Sequence, residues 1–588
     1  RFRYGTVVLG TGGSLYSSGT LTLGSSTNSG VFQLGDSNGA VNTTVTSLTT
    51  SGSGTTNTVV GGNSAVSTLT INNSGANSYG GTLGGSGTNQ NSLALTKIGA
   101  GTLTLSASNS YSGGTTIKAG TISQTAAGAL GSGTITLGDG SSSNSATLQG
   151  NGAANFTNSN AVTIAAGGSG VYTIADIGGK DYTFTNNIAL SNAATFQTTS
   201  GGAIFLQGQV TGSSQITIAG NGSSLNKFVN FSGANSSSYT GNVLVQSYGI
   251  LKFGSTTALG VSSTVTLDST SELDNGGFAD TIAGLTDVVA GTGGSTVVGT
   301  GALTLGGSGS YNFTGAISIG GSLTKSGTGP QALSGSSSYT GGTTISAGAL
   351  FANNATSSLG TGAVNINGGT LSGGGTVGNS SSVITVNSGG TISAGATAAA
   401  NGQLTTGSEA WKAGGIFLEK LNSSTGDGTG ITGTGTAGGA NWDSVVMTAL
   451  AVTGTGAAAS SSFNVDAVGT LSSVPAGTSW IIGQTTSSTA KVNGSAADGA
   501  SVATAPNLLT AASGAFVLNT NGLSLNGGSS FGPSSSLFSL ELVQNGSGDN
   551  LVLSYNGTPE PGTAMLVLGG TVPLLIGRRR RKAVANAN

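Results

Sequence analysis

The stretch TKIGAGTLTLSASNSYSGGTTIKAG, residues 96–120, decides the fold. It recurs without gaps as TKSGTGPQALSGSSSYTGGTTISAG at 324–348, and 16 of the 25 positions are identical. The shared residues include Lys97/Lys325, Gly99/Gly327, Gly101/Gly329, Tyr111/Tyr339, Gly114/Gly342, Ile117/Ile345 and Gly120/Gly348. The best copies extend over 93–124 and 321–352. Inside the first, GTLTLSAS alternates with period two, which places Leu103 and Leu105 on one face and Thr102 and Thr104 on the other. GTITLG at 133–138, STVTLD at 263–268 and GALTLGG at 301–307 repeat the idea, with Gly, Ser or Asn between runs where tight turns need positive φ. Weaker copies carry only the centre: NSYGGTL around Tyr79, SSYTGNVLVQSYG around Tyr239 and GSYNFTGAISI around Tyr311. Long patterns of period 3.6 are missing. The class is all-β.

Proline separates stacked coils from other all-β arrangements. In residues 1–474 the only proline is Pro330. A coil inside a parallel β-helix is hydrogen-bonded above and below, and proline has no N–H for that ladder. A chain nearly free of proline, yet with 108 Gly in 588 residues, fits strands that are all internal. The expectation is a parallel β-helix over 1–400, with coils of about 20–25 residues. Slim Thr, Ser, Ala and Val would stack in register. Separate β-sandwiches and a disordered Gly/Ser linker are the alternatives.

Composition excludes several chemistries. There is no Cys and no His, so disulfides, thiolate or imidazole metal sites and a Ser-His-Asp triad are absent. Charged residues are only 6%, against ~25% in ordinary domains. All six Arg lie at the ends, at Arg1, Arg3 and Arg578 to Arg581, and nine Lys against 18 acids leave the body between at −9. A nucleic-acid groove needs clustered cations on one face, and none precedes residue 578. The densest acids are Asp268, Glu272, Asp274 and Asp280, which read as a solvated surface rather than a weak Ca²⁺ site. Asp176, Lys180 and Asp181 read as a charged turn. Paired Thr such as Thr102/Thr104 and Thr134/Thr136 could suggest an ice-binding face, but Thr is the usual outward strand residue. No catalytic, cofactor or metal site is expected, and the protein is read as not an enzyme.

The two strong copies closely resemble the autotransporter-associated β-strand repeat, also called the passenger-associated transport repeat. Its usual form is L-x-K-x-G-x-G-T-L-x-L-x-x-x-N-x-Y-x-G-x-T-x-I-x-x-G-x-L. The second copy departs at Pro330 and Gln331, where Thr and Leu are usual, so a short strand is not expected there. The resemblance implies a secreted, right-handed β-helix and names no ligand.

Composition shifts after about residue 400. Trp411, Trp442 and Trp480 are the only tryptophans, and six of seven Pro lie at 475 or later. Residues 401–556 read as a β-rich C-terminal module that caps the open solenoid end. Within it, 538–557 reads as a hairpin turning at QNGSGDN.

The tail, 557–588, has three parts: Pro559-Glu560-Pro561, an uncharged apolar run at 562–577, and the basic run Arg578, Arg579, Arg580, Arg581 and Lys582. As a helix the 16-residue run spans ~24 Å, somewhat short of a ~30 Å hydrocarbon core, a mismatch that snorkelling Arg can cover. The cations would hold the end cytoplasmic and the body outside. The tail is similar to the PEP-CTERM sorting signal of Gram-negative bacteria. That resemblance implies a short transmembrane helix in the inner membrane, an exosortase that processes the protein at Pro559, Glu560 and Pro561, and a destination at the cell surface, outer membrane or biofilm exopolysaccharide. The chain begins with Arg and shows no leading apolar segment, so a signal peptide is expected to be missing from it. The expectation is thus a non-catalytic structural or adhesive β-solenoid whose partners are an exosortase, extracellular polysaccharide and, transiently, the inner membrane, with no nucleic acid. An autotransporter passenger adhesin and a β-helix polysaccharide-degrading enzyme are the alternatives.

Overall fold

A computed structural model describes residues 2–421, apart from 200, 221–223, 226, 234–237, 290–292, 380 and 399, and then strand segments between residues 428 and 555. The described residues are strands and turns with no α-helix. The chain divides into two compact units, Arg1–Leu350 with Ser357–Gly362, and Phe351–Thr356 with Ala363–Asn588.

In the first unit every described strand pairing is parallel, and paired strands lie one coil apart. One eight-stranded sheet runs from Thr43–Val45 through Leu93–Ile98 and Thr115–Ile117 to Val210–Gly212. A ten-stranded sheet carries Thr102–Leu105 and ends on Gly284–Asp287, and another eight-stranded sheet runs from Phe156–Asn158 to Ala316–Ile319. Lys97 lies opposite Ile117 of the next coil, and Leu137 lies opposite Ile164 of the one after its own. The sandwich and linker alternatives fall, because neither stacks parallel strands one short coil apart. This unit is a parallel β-solenoid.

Alternation does what the sequence requires. Leu103 and Leu105 are buried, as are Ile117, Ile122, Leu137 and Leu148, while Thr102 and Thr104 face outward. Because register is fixed by this alternation, like stacks on like. Thr102, Thr121, Thr147, Thr173, Thr195 and Thr217 form one outward column. Thr44, Thr70, Thr96, Thr116, Thr136 and Thr163 form a second on another sheet.

The expectation of a missing strand after Pro330 is corrected. Gln331–Leu333 is a strand paired with Tyr311–Phe313, and the Pro330 carbonyl accepts the Tyr311 N–H at 3.0 Å. Proline at the strand's threshold gives up only an N–H that this ladder does not use. The Gln331 side chain turns inward, fully buried. Its Oε1 accepts the Leu285 N–H at 3.1 Å and its Nε2 donates to the Leu285 carbonyl at 3.0 Å. Gly284–Asp287 is the last strand of its sheet, so this amide supplies the backbone partner that a further strand would have given.

In the second unit parallel pairing runs through residue 400. Val364–Ile366, Val383–Val386, Ser408–Trp411 and Leu450–Val452 stack in one ladder. Thr391–Ile392, Ile416–Lys420, Phe463–Leu471 and Phe516–Leu525 stack in another. The chain between partners lengthens along the unit: Val364 faces Ile384, whereas Phe463 faces Phe516. Trp411 and Trp480 are buried, while Trp442 lies outside the described residues. The expected hairpin is present as Phe538–Asn545 against Gly548–Tyr555, and its strands reach further into QNGSGDN than alternation suggested, to Asn545 opposite Gly548. The tail, with Pro559, Glu560, Pro561, the apolar run and Arg578 to Lys582, lies outside the described residues. Among the described residues no helix is long and apolar enough to cross a membrane.

Candidate functional site

The repeat residues fasten the coils from inside. Lys97 and Lys325 occupy positions where their neighbours in the next coil are Ile117 and Ile345, and both side chains are buried. The Lys97 ammonium donates to the carbonyls of Ile98 at 2.8 Å, Gly99 at 2.6 Å and Ala119 at 3.3 Å. Lys325 donates to the Gly327 carbonyl. Burial pushes the Lys97 amine down to about 8 and lowers Lys325 as well. Lys97 therefore gathers three carbonyls from two coils, and Lys325 holds the carbonyl of the turn that follows its strand. Replacing Lys97 with Met, of similar length, leaves three carbonyls without that donor. The expected loss is about 1–3 kcal/mol of unfolding free energy, read by urea titration. An unchanged midpoint would show that the ammonium is dispensable.

Tyr111 and Tyr339 are buried, and their hydroxyls pair with Thr115 Oγ1 at 2.5 Å and Thr343 Oγ1 at 2.7 Å. The glycines set the distance between coils. A Cβ on Gly101 would stand 2.2 Å from the Gly75 carbonyl oxygen, and one on Gly329 would stand 2.0 Å from that of Gly309. Gly99, Gly114, Gly120, Gly342 and Gly348 hold positive φ. Gly327 does not, but a Cβ there would meet the Gly307 carbonyl oxygen at 2.1 Å. The lysines, tyrosines and glycines of the motif therefore serve the interior and the coil contacts, and its outward positions are threonines such as Thr102 and Thr104.

Two of the weaker copies follow the same plan. Tyr79 and Tyr239 are buried, with hydroxyl contacts to the carbonyls of Thr82 at 3.1 Å and Asn242 at 2.8 Å. The third is corrected: Tyr311 is only half-buried, and Phe313 is the buried ring of its coil. The signal was present. In Phe313-Thr314-Gly315 the ring precedes a glycine by two, as Tyr339 precedes Gly341, and Ile319 follows at the spacing of Ile345. Asn109 was also missed. Its Oδ1 accepts the Leu83 N–H at 2.7 Å and its Nδ2 donates to the Ala129 carbonyl at 2.5 Å, linking three coils. The N-x-Y spacing was its signal. In the second copy Ser337 stands in its place.

The acids do not converge. Among the described residues no group of three or more His, Cys, Asp or Glu could hold a metal ion. Asp268 accepts from Ser247, Thr270 and Ser271 and ties down a turn. Asp274 pairs with Lys252 at 2.5 Å. The reading of Asp280 as solvated is corrected. It is buried, accepts the N–H groups of Ala258 at 3.0 Å and Thr281 at 2.7 Å, and burial pushes its carboxyl up to about 7. The charged turn is corrected in part as well. Asp181 is at the surface with Asn155, but Asp176 points inward and is buried, and burial pushes it up to about 6. Alternation explains both: each acid takes an inward position at the end of a strand.

Outward, the Thr columns are single rows. The row beside Thr102 runs Thr104, Ser123, Gln149 and Ala175, so it breaks into unlike residues, and Thr134 lies outside the strand Ile135–Leu137. The surface is a grid of isolated hydroxyl columns.

A family model for the passenger-associated-transport-repeat matches residues 95–123 and 323–350, the two copies whose lysines and tyrosines are described above. A search of curated proteins returns no match.

Proposed function

We propose that this protein is a non-catalytic, extracytoplasmic solenoid that serves as a structural or adhesive element against matrix polysaccharide. The observation that carries the reading is the column from Thr102 to Thr217, one outward hydroxyl per coil over six coils. Parallel strands repeat every ~4.8 Å, so a polymer of hydroxyls meets the same partner again and again. Each contact is weak, and repetition supplies avidity. The dispersed acids and the match to transport repeats support a displayed surface over a reaction centre. The right hand of the coil is part of the proposal, as the usual hand of parallel crossovers.

Delivery is proposed to run through the C-terminal tail, with Pro559, Glu560 and Pro561 as the exosortase motif, 562–577 as the transient inner-membrane helix and Arg578 to Lys582 as its cytoplasmic stop. The repeat match favours a second reading in which the same body is an autotransporter-like passenger. Mass spectrometry of surface-located protein separates them. A mature end near Pro561 is expected, and an intact Asn588 refutes exosortase-type processing. For adhesion, the full chain is expected to be retained on the host's own exopolysaccharide. Passage without retention at every ionic strength tried overturns the adhesive role.

A further inference from the structure

One sheet of the first unit changes its outward chemistry. Ile204–Leu206, Phe228–Phe231, Ile250–Phe253, Glu272–Asp274 and Thr296–Gly299 stack in parallel. In one outward column Thr157 and Thr183 give way to Phe205, Asn230, Lys252 and Asp274. In the next, Phe228, Ile250, Glu272 and Thr296 follow each other. The Phe205 and Phe228 rings meet edge to face with centroids 5.5 Å apart. Lys252 Nζ stands 5.3 Å from the Phe228 centroid and 2.5 Å from Asp274 Oδ2. Thr296 Oγ1 donates to Glu272 Oε2 at 3.2 Å. Asn230 is only 8% exposed, and its Oδ1 has no hydrogen-bond partner among the described residues.

We infer that this patch is a binding subsite for a neutral pyranose polysaccharide, which gives the matrix-binding reading, on which it rests, a location and a ligand class. Sugar rings carry an apolar C–H face and a rim of hydroxyl donors. Phe205 and Phe228 offer half-buried ring surface, whose negative π-face favours C–H groups. Glu272 and Asp274, both part-exposed, offer acceptors. The patch carries one cation against two carboxylates, on a body of net charge −9, so uronic-acid polymers are repelled.

The test uses the full chain in native gels cast with soluble neutral glucans (dextran and a mixed-linkage β-glucan) or with alginate. Retardation by a neutral glucan and none by alginate are expected. Phe205→Ala and Glu272→Gln should each weaken retardation by roughly 5-fold, the size of one lost aromatic or hydrogen-bonded contact. Ser143→Ala, in an exposed turn away from both the patch and the threonine columns, should leave it unchanged, and circular dichroism of each variant confirms the fold. Retardation that survives both variants overturns the subsite while leaving matrix binding standing. Retardation by alginate alone overturns the ligand class. No retardation in any gel also overturns the subsite, and retention on the host exopolysaccharide then decides the broader reading separately.

Discussion

Tyr339→Ala is expected to lower the unfolding free energy by about 3–5 kcal/mol, the range for emptying a large aromatic site in a packed core. The ring is buried, and Gly360 of the next coil passes so close that a Cβ there would stand 2.7 Å from the ring carbon Cγ. A glycine has no side chain with which to refill the space. The hydroxyl is a separate contribution. Thr343 is itself buried, and its Oγ1 lies 2.7 Å from the tyrosine oxygen. Tyr339→Phe keeps the ring and leaves Thr343 alone, so about 1–2 kcal/mol is expected. Tyr111 should behave alike through Thr115. Urea unfolding followed by circular dichroism reads both steps. An alanine variant within about 1 kcal/mol of the wild type, well below the cavity range, would mean that the repeat's tyrosine is not a fastening.

The second large effect is on pH. Asp176 and Asp280 have ordinary values near 3.8, and burial pushes them in the folded chain to about 6 and about 7. The folded state therefore holds these protons more tightly than the unfolded state. Their stabilisation is fully present below pH 3.8 and is lost as pH rises through 6 to 7. Each tenfold difference in proton affinity between the two states corresponds to ~1.4 kcal/mol, so these two groups together are expected to make the first unit less stable at pH 7.5 than at pH 4 by on the order of 5 kcal/mol, opposed by the hydrogen-bonded carboxyls of Asp36, Asp139 and Asp268, which are lowered. Glu409, buried in the second unit against Thr406 and Trp411, is pushed up to about 7 and acts in the same direction there. Lys97 works from the other side. Its amine is lowered from 10.5 to about 8, so its contribution grows as pH climbs between those two values. Thermal midpoints should therefore pass through a minimum between pH 7 and 8. Asp176→Asn and Asp280→Asn should raise the midpoint at pH 7.5 and flatten the acid limb. A curve that falls steadily from pH 7 to pH 4 would contradict the burial of these groups.

What could be read from the residues follows one rule of pattern. Period-two alternation and the near absence of proline pointed to parallel stacking, because both are imposed at every coil. They also placed Lys97, Tyr111 and Gly101, since a position that recurs in both copies has the same neighbours twice. Single events were harder. Nothing in the line of residues tells an inward Asp176 from a surface one, because a strand's last position is inward or outward according to where its turn begins. Gln331 looked like a damaged repeat, and its role depends on Leu285, two coils earlier, having an open edge. Phe313 was hidden by Tyr311, which matched the expected letter while the expected geometry lay two positions on. The outward patch around Lys252 was invisible for the opposite reason. Its acids were noticed as neighbours in sequence, whereas Phe205 and Asn230 join them only through the register between coils.

That register has a consequence for how such a chain can change. Lys97 meets Ile117 and Lys325 meets Ile345 at one and the same interval, while Leu137 and Ile164 are joined by a longer corner. The upper and lower rims of a turn are chemically interchangeable, so copying or deleting one whole turn of coding sequence leaves every surviving amide with a mate. Recombination between near-identical turns would then shorten or lengthen the protein without unmaking it, and strains of one species could differ in turn number while sharing both ends.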